Sequence, residues 1–309
     1  MIQIEGLTKR FGQKLAVDHL TFSVEAGHVT GFLGPNGAGK STTMRMIMGL
    51  DRPTAGRALV NGRPFALSDS PLTEVGALLD AKAAAPGRSG LAHLQALAAT
   101  HRIPQSRVDE VIGMTGMASV VTKRVKTYSL GMNQRLGIAA ALLGDPGTVI
   151  LDEPVNGLDP EGVQWVRQLA KGLAAEGRTV FISSHLMAEM AMTADRLIII
   201  GRGRLIADST VDEVVAASSG VATRVRSPQA GQIAAALASP DIVVTADGPD
   251  ALIVQGLSVE ALGETAARQG WVVYELTPVT ASLEDAYMKL TDTAVEYRST
   301  APLTQGANR

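Results

Sequence analysis

A single stretch near the N-terminus, residues 34–42, constrains the fold of this chain more than any other feature. It has the pattern G-x-x-x-x-G-K-[ST], in which a glycine-rich loop wraps its backbone N–H groups around nucleotide phosphates. Residues 29–33 before it form an apolar run typical of a buried strand, and Met44, Ile47 and Met48 follow at helical spacing. A strand, loop and helix in this order place the phosphates at a helix N-terminus. The alternative is a glycine-rich turn that happens to carry a lysine, and the flanking pattern argues against it.

The loop also predicts how a nucleoside triphosphate and Mg²⁺ are held. Its glycines let the backbone approach the phosphates without a Cβ in the way. Lys40 places a positive charge beside the β- and γ-phosphates, and the Ser41 hydroxyl is a ligand for Mg²⁺. The predicted nucleotide-binding residues of the loop are Gly34, Pro35, Asn36, Gly37, Ala38, Gly39, Lys40, Ser41 and Thr42.

Composition excludes several other kinds of protein. A chain of 309 residues with 46% apolar residues can bury the cores of one large and one small domain. The net charge of −2 gives no basic field that would attract nucleic acid or anionic lipid. There is no cysteine, so disulfides and thiolate metal sites are excluded. No apolar run approaches the ~20 residues of a membrane helix, and the N-terminus lacks the features of a signal peptide. We therefore expect no nucleic-acid partner and no direct insertion into the membrane.

Residues 1–218 alternate between strand and helix patterns after an antiparallel-looking start. This order predicts an α/β fold with a mainly parallel sheet, an antiparallel β subdomain and a helical insertion near 81–130. The predicted strands lie at 20–24, 29–33, 57–60, 75–79, 147–151, 178–182 and 196–200, and helical stripes lie at 91–98 and 108–112.

Residues 221–292 are predicted to form a separate small α+β domain. Its pattern is strand 222–226, helix 229–238, strand 241–246, strand 251–255, helix 258–269 and strand 271–276, followed by a helix at 282–290. This β-α-β-β-α-β order suggests a ferredoxin-like module. The polar tail, 293–309, is expected to be disordered.

A second constellation follows the apolar run 148–151, where Asp152 and Glu153 end a predicted strand. Carboxylates there lie at the carboxyl edge of the sheet, where open α/β sheets bind ligands. Asp152 can hold Mg²⁺ through water, and Glu153 can orient and deprotonate the attacking water. An acidic turn after a strand is the structural alternative, and the upstream phosphate loop makes it less favoured.

Four further segments accompany these motifs in a specific order and spacing. They are Tyr128-Ser129-Leu130-Gly131-Met132-Asn133-Gln134-Arg135, Asn156-Gly157-Leu158-Asp159-Pro160, Phe181-Ile182-Ser183-Ser184-His185 and Arg10-Phe11-Gly12. Together with the phosphate loop they make residues 2–217 resemble the ATP-binding subunits of ABC transporters. In that family the four segments are the signature, the D-loop, the switch loop and an aromatic under the adenine.

The resemblance implies roles for these residues. Ser129 and Gly131, at a helix N-terminus, would contact the γ-phosphate of ATP held by a second subunit, and a plain Ser N-cap is the alternative. His185 would contact the γ-phosphate and hold Glu153 in register, although lone histidines are often structural. Asp159 would cap the helix begun by Pro160 alongside its contact with the other subunit. Phe11 is the adenine platform or, alternatively, a small core aromatic.

The chain departs from the family pattern at two places. Asp80 stands where the Q-loop has a glutamine that helps to ligate Mg²⁺, and an Asp can still bind this ion. The signature is also degenerate, with Leu130 in place of a glycine and Met132 in place of a glutamine. Such a pattern resembles the branch that exports drugs, antibiotics and lantibiotic-type peptides.

The resemblance implies an ATPase that dimerises head to tail around two MgATP and drives a separate integral membrane permease. The chain would be a homodimer at the cytoplasmic face of the cell membrane. A soluble ATPase of the same lineage, acting on DNA or ribosomes, and a regulatory nucleotide-binding module are the alternatives. The alternatives for the C-terminal module are a regulatory ligand-binding domain, a dimerisation domain and a clamp on the cassette. It carries no catalytic or metal constellation, which favours dimerisation or stabilisation as its role.

Overall fold

The computed structural model describes residues 1–218, 222–279 and 282–291. The chain divides into two compact units, Met1–Thr210 and Val211–Leu290. This division lies before the break at 218–221 that the composition suggests, and it places the helix after Thr210 in the second unit.

The first unit opens with strands and continues as alternating strands and helices. Its strands are β1 (Ile2–Phe11), β2 (Lys14–Val24), β3 (Val29–Leu33), β4 (Ala55–Val60), β5 (Val75–Leu78), β6 (Thr148–Asp152), β7 (Thr179–Ser184), β8 (Arg196–Gly201) and β9 (Arg204–Thr210). Its helices are α1 (Lys40–Ile47), α2 (Pro71–Glu74), α3 (Gly90–Thr100), α4 (Gln105–Met114), α5 (Leu130–Leu142), α6 (Pro160–Ala175) and α7 (Met187–Thr193).

Two sheets carry this unit. The larger has the order β5-β6-β7-β3-β8-β9, in which β8 and β9 pair antiparallel and the other neighbours pair parallel. The smaller is the antiparallel sheet β2-β1-β4. The two sheets share one core, in which the rings of Phe22, Phe32 and Phe181 lie 5.0–6.1 Å apart. Because β6, β7 and β3 are parallel neighbours, the loops that follow them open at the same edge of the sheet.

The predicted α/β class is confirmed, with its mainly parallel sheet, antiparallel subdomain and helical insertion. The sequence patterns do not predict β9 or the short helix α2. In β9 the side chains are half-buried or exposed, so the strand shows no apolar alternation.

The second unit consists of α8 (Val211–Ser218), β10 (Ala222–Arg226), α9 (Ala230–Leu237), β11 (Val243–Ala246), β12 (Ala251–Gln255), α10 (Val259–Gln269), β13 (Glu275–Pro278) and α11 (Leu283–Thr291). Its sheet has the order β11-β12-β10-β13 with antiparallel pairs throughout. With the β-α-β-β-α-β sequence of elements, this order is the ferredoxin-like topology that the patterns suggest.

The last strand of this module is displaced from its predicted position at 271–276. Trp271 and Val273 pack against the module's core from an extended segment, whereas the ladder itself begins at Glu275. Alternate apolar residues in an extended segment give the same period as a strand, which explains the error. The predicted tail at 293–309 lies outside the described residues.

Candidate nucleotide site

The phosphate loop lies between the fully buried strand β3 and the first turn of α1. Gly39, the residue before the helix, has φ +107°. A Cβ at Gly39 would lie 2.6 Å from the carbonyl oxygen of Ala16, and one at Gly34 would lie 2.6 Å from that of Ile200. These two glycines therefore allow the loop to fold tightly against neighbouring backbone, with the N–H groups of α1 open at its start.

Lys40 is buried at the floor of this loop. Its Nζ donates to the carbonyl oxygen of Gly34 at 2.6 Å and lies 3.8 Å from Oε1 of Glu153. Burial lowers the pKa of Lys40, and the carboxylates of Glu153 and Asp152 oppose that shift. The ammonium group of Lys40 is thus less well stabilised than it would be by hydration in water, so a bound polyanion would stabilise it.

The carboxylates lie where β6 ends, beside the end of β7. Ser183, paired with Asp152 in the register of these strands, donates its hydroxyl to Oδ1 of Asp152. The same Oγ accepts the N–H of Glu153 at 2.9 Å. His185 follows β7, and its Nδ1 lies 2.7 Å from Oε2 of Glu153. The structure therefore brings together Lys40, Asp152, Glu153 and His185, which sequence analysis selects from three separate segments.

The main chain of Glu153 has an unusual conformation, with φ +50°. A residue with a Cβ in this left-handed region costs on the order of 1–3 kcal/mol unless its surroundings hold it there. Its carbonyl oxygen accepts the amide N–H of Gln134 at 3.1 Å and the backbone N–H of Asn156 at 3.2 Å. Hydrogen bonds on both sides of Glu153 therefore maintain the turn that aims its carboxylate at Lys40 and His185.

A cavity of about 380 Å³ opens over the phosphate loop. Phe11, at the end of β1, is half-exposed on its wall, and Lys9 Nζ lies 4.9 Å from the centre of the Phe11 ring. This exposure excludes Phe11 as a core aromatic and leaves its ring available for stacking. The lining residues are Phe11, Lys14, Ala16, Pro35, Asn36, Gly37, Gly39, Lys40, Ser41, Thr42 and Glu153.

The signature and D-loop residues lie together at the start of α5, outside the lining of this cavity. Ser129 caps α5 by accepting the N–H of Met132 at 3.2 Å. Asp159 caps α6 by accepting the N–H of Gly162 at 2.9 Å. A Cβ on Gly131 would lie 2.8 Å from the carbonyl oxygen of Gly157, so the two segments are in close contact. Ser129 and Asp159 thus stabilise their helices as N-caps. Each cap also leaves a helix N-terminus facing outward.

Leu130, which replaces a glycine of the signature, is accommodated by Gly157. Gly157 has φ +75°, and a Cβ there would lie 2.4 Å from a methyl of Leu130. The leucine side chain therefore occupies space that a D-loop residue with a side chain would need.

Asp80 lies apart from the phosphate loop. Its carboxylate accepts the N–H of Lys82 at 2.8 Å, and it lines a different cavity of about 470 Å³. Most of that lining is apolar, and half of the lining residues belong to β5, α3 and α5. The role of Asp80 as a Mg²⁺ ligand remains a prediction.

The donor set fits Mg²⁺ bound together with substrate phosphates. Ser41 offers a hydroxyl in the first turn of α1 and Asp152 a carboxylate at the end of β6. Within the described residues, no group of three or more His, Cys, Asp or Glu side chains could hold a metal on its own. Mg²⁺ characteristically takes one or two protein oxygens and completes its shell with water and phosphate.

Two residues that hold this site escape sequence analysis. Ser183 and Gln134 are buried polar residues that bind the main chain of Glu153. The pairing of Ser183 with Asp152 follows from strand order, which sequence patterns do not provide. Gln134 gives only a weak signal in the sequence, because it lies between Asn133 and Arg135 in a short polar run before the apolar part of α5.

The fold and site together define an ATPase of the phosphate-loop class with a signature helix and a D-loop. No helix within the described parts of the chain has the length and apolarity needed to cross a membrane.

Comparisons with known proteins agree with this assignment to an ATPase class. Residues 17–156 match the family model described as ABC transporter, and residues 221–284 match a domain of unknown function, DUF8746. The chain is 35% identical to the uncharacterized ABC transporter ATP-binding protein YhcH of Bacillus subtilis, over 94% of this chain and 96% of that protein. It is 39% identical to the bacitracin transport ATP-binding protein BcrA of Bacillus licheniformis, over 69% of this chain and 71% of that one. A dimeric ATP-binding cassette, MJ0796 bound to ADP and Pi, has a similar fold, with a TM-score of 0.63 and 24% identity over 68% of this chain and 98% of that chain.

The chain belongs to the family of ABC transporter ATP-binding proteins. It is accordingly the ATP-binding and ATP-hydrolysing subunit of an ABC transporter.

Proposed function

We propose that this subunit hydrolyses ATP at the shared edge of β3, β6 and β7, with Glu153 as general base, and thereby drives export through a separate membrane permease. The observation that carries the proposal is the convergence of Lys40, Glu153 and His185 over the phosphate loop. Lys40 and the N–H groups at the start of α1 hold the triphosphate.

In the proposed reaction, the oxygen of a water molecule forms a bond to the γ-phosphorus. The bond from that phosphorus to the β,γ-bridging oxygen breaks, and its electron pair leaves on ADP. Glu153 accepts the proton of the water, while His185 keeps the carboxylate in position through its 2.7 Å contact. Ser41 and Asp152 would hold Mg²⁺, which neutralises phosphate charge when bound.

The site is completed by a second copy of the chain. Ser129 and Gly131 lie at the outward-facing N-terminus of α5 and away from the cavity of their own chain. In a head-to-tail dimer this helix N-terminus would face the γ-phosphate held by the partner, where its dipole favours an anion. The dimeric state of the MJ0796 cassette, which has a similar fold, supports the assembly of two chains.

Replacement of Glu153 by glutamine tests the proposed base. The amide keeps the size and the hydrogen-bonding capacity of the side chain but cannot accept the proton, so kcat should fall by about 100-fold or more. MgATP binding should persist, because the phosphate loop is intact, and the variant should accumulate as an ATP-bound dimer in size-exclusion chromatography with light scattering. Hydrolysis by E153Q at the wild-type rate would exclude Glu153 as the base.

The cavity that contains Asp80 is the proposed docking site for the permease. It is mainly apolar, lies between β5 and the helical insertion, and is large enough for bulky side chains of an inserted helix. The bacitracin transport in the name of a relative supports a drug, antibiotic or peptide as the substrate class. The subunit would act at the cytoplasmic face of the cell membrane, through its contact with the permease.

The docking site is tested by placing a charge in the cavity. Ala83 lines it and is exposed, whereas Ala85 is also exposed and is not part of the lining. We expect Ala83→Glu to lose the multi-span membrane protein that co-purifies with the tagged wild-type chain from detergent-solubilised host membranes, and Ala85→Glu to retain it. Recovery of soluble partners alone with an active wild-type chain would contradict the transport role.

A further inference from the structure

Gln134 connects two regions that the proposed function assigns to two different nucleotides. It lies on α5, one turn beyond Ser129 and Gly131, and its side chain is 4% exposed. Its Nε2 donates to the carbonyl oxygen of Glu153 at 3.1 Å. In the proposed head-to-tail dimer, the start of α5 engages the partner's nucleotide, whereas Glu153 acts on the nucleotide of its own chain.

The hydrogen bond is placed where it controls the conformation of Glu153. The N–H of Glu153 is held by Ser183 at 2.9 Å, so the amide of Gln134 holds the opposite side of the same residue. A left-handed residue with a side chain persists when its surroundings over-determine it. Without the Gln134 donor, the carbonyl oxygen of Glu153 would keep only its hydrogen bond from the backbone N–H of Asn156.

The environment of Gln134 indicates that the hydrogen bond to the Glu153 carbonyl is the main polar interaction of this side chain. Its Oε1 is buried and has no hydrogen-bond partner among the residues that the structure describes. Interchanging the amide oxygen and nitrogen would set two acceptors against each other at the Glu153 carbonyl. A buried amide with an unsatisfied oxygen is costly, so a nonpolar side chain of similar size would suit the packing better.

We propose that Gln134 is a positioning residue that holds the main chain of Glu153 and couples its conformation to the signature helix. Engagement of α5 with the partner's nucleotide then sets Glu153 for catalysis at the chain's own site. The inference rests on the proposed function of Glu153 and of the dimer, and it extends them by naming the contact that connects the two sites.

The test is Gln134→Met, which nearly conserves volume and removes the donor. We expect kcat to fall about tenfold or more, because Glu153 is no longer held in register. The ATP concentration for half-maximal rate should stay within about twofold, since the phosphate loop is unchanged. The cooperativity of hydrolysis with ATP concentration should also fall towards a Hill coefficient of one.

Thr115→Val is the matched control. Thr115 is a buried polar residue of the helical insertion whose hydroxyl donates to the carbonyl oxygens of Val111 and Ile112, so its hydroxyl bonds stay within the insertion. It should lower the melting temperature and leave kcat and cooperativity within about twofold of wild type. If Q134M does not fold, Gln134→Leu provides the same test, because it also removes the donor and buries no charge.

Each outcome has a distinct meaning. Wild-type kcat and cooperativity in Q134M would overturn the role of Gln134, as would a loss of kcat no larger than that of T115V. E153Q measured in the same assay separates the two proposals: an active E153Q contradicts the base, whereas an inactive E153Q beside a wild-type-like Q134M contradicts the coupling alone.

Discussion

At the scale of single residues, the site combines a desolvated cation with a carboxylate on a strained turn. Burial lowers the pKa of Lys40, so the folded, nucleotide-free protein disfavours the charged ammonium. A lysine whose pKa is lower in the folded than in the unfolded chain binds fewer protons when folded. Its burial therefore lowers the free energy of unfolding at pH values below the folded pKa. This effect fades as the pH rises towards the unfolded value of about 10.4. Bound phosphates would offset the free-energy cost of burying the Lys40 ammonium group. Groups that serve function commonly lower stability in this way when no ligand is bound.

Lys40→Met tests this balance between stability and binding. Methionine fills much of the same space without a charge, so the melting temperature of the nucleotide-free variant at neutral pH should equal or exceed that of wild type. Removal of a charge-assisted contact to phosphate should weaken ATP binding about tenfold or more by calorimetry. Wild-type affinity, or a marked fall in melting temperature, would contradict the interpretation of Lys40.

At the scale of elements, the N-terminus of α5 has two roles that substitution can separate. Ser129 caps the helix through Met132, and the proposed function has the same residue face the partner's phosphate. Replacing a cap by Ala costs about 1 kcal/mol, whereas Asn and Asp cap as well as Ser does. The signature position therefore accepts changes that keep the fold and change the charge.

Ser129→Asp and Ser129→Asn form a matched pair. Both should keep the melting temperature close to that of wild type, because both cap α5. Only the aspartate adds a negative charge opposite the γ-phosphate, so S129D should abolish ATP-driven dimerisation in light scattering and S129N should retain it. Equal dimerisation by the two variants would mean that Ser129 serves as a cap and does not face the nucleotide.

At the scale of the whole molecule, the proposed dimer has one chain supply two halves of different sites. Lys40 and Glu153 lie at one place and Ser129 and Gly131 at another, so head-to-tail assembly would make each site from two chains. The ferredoxin-like unit has its own core and sheet. We propose dimerisation or stabilisation as its role.

Mixing two inactive variants tests the shared sites. In a mixed dimer of K40M and S129D chains, one site carries both defects and the other carries neither, so ATPase activity should return in part. The kcat of the intact site should stay near that of Q134M, because the chain that hydrolyses ATP there has its own α5 at the defective site. In a mixed dimer of the double variant with a wild-type chain, each site carries one defect, and activity should stay low. No recovery in mixed K40M and S129D dimers that demonstrably form would contradict the head-to-tail arrangement.

Much of the site could be predicted because its motifs are local. The geometry of the phosphate loop depends on glycines spaced within a few residues, and Ser129 and Asp159 cap helices that begin at the next residue. The strand endings at Asp152 and His185 follow from apolar runs that stop at a charged or polar residue. Errors occurred where an extended segment shares the period of a strand, as at Trp271 and Val273, or where a strand is half-exposed, as in β9.

The sequence by itself determined the loop that we propose to bind phosphate, because G-x-x-x-x-G-K-[ST] and its flanking strand and helix are local. It also determined the alternation of elements that produces a ferredoxin-like second unit. Only the tertiary structure decided how Glu153 is held. Strand order places β7 between β3 and β6 and so brings Ser183 to the main chain of Glu153, while packing of α5 brings Gln134 to its other side. These contacts join residues that are far apart along the chain, and their geometry depends on strand order and packing that no local pattern encodes.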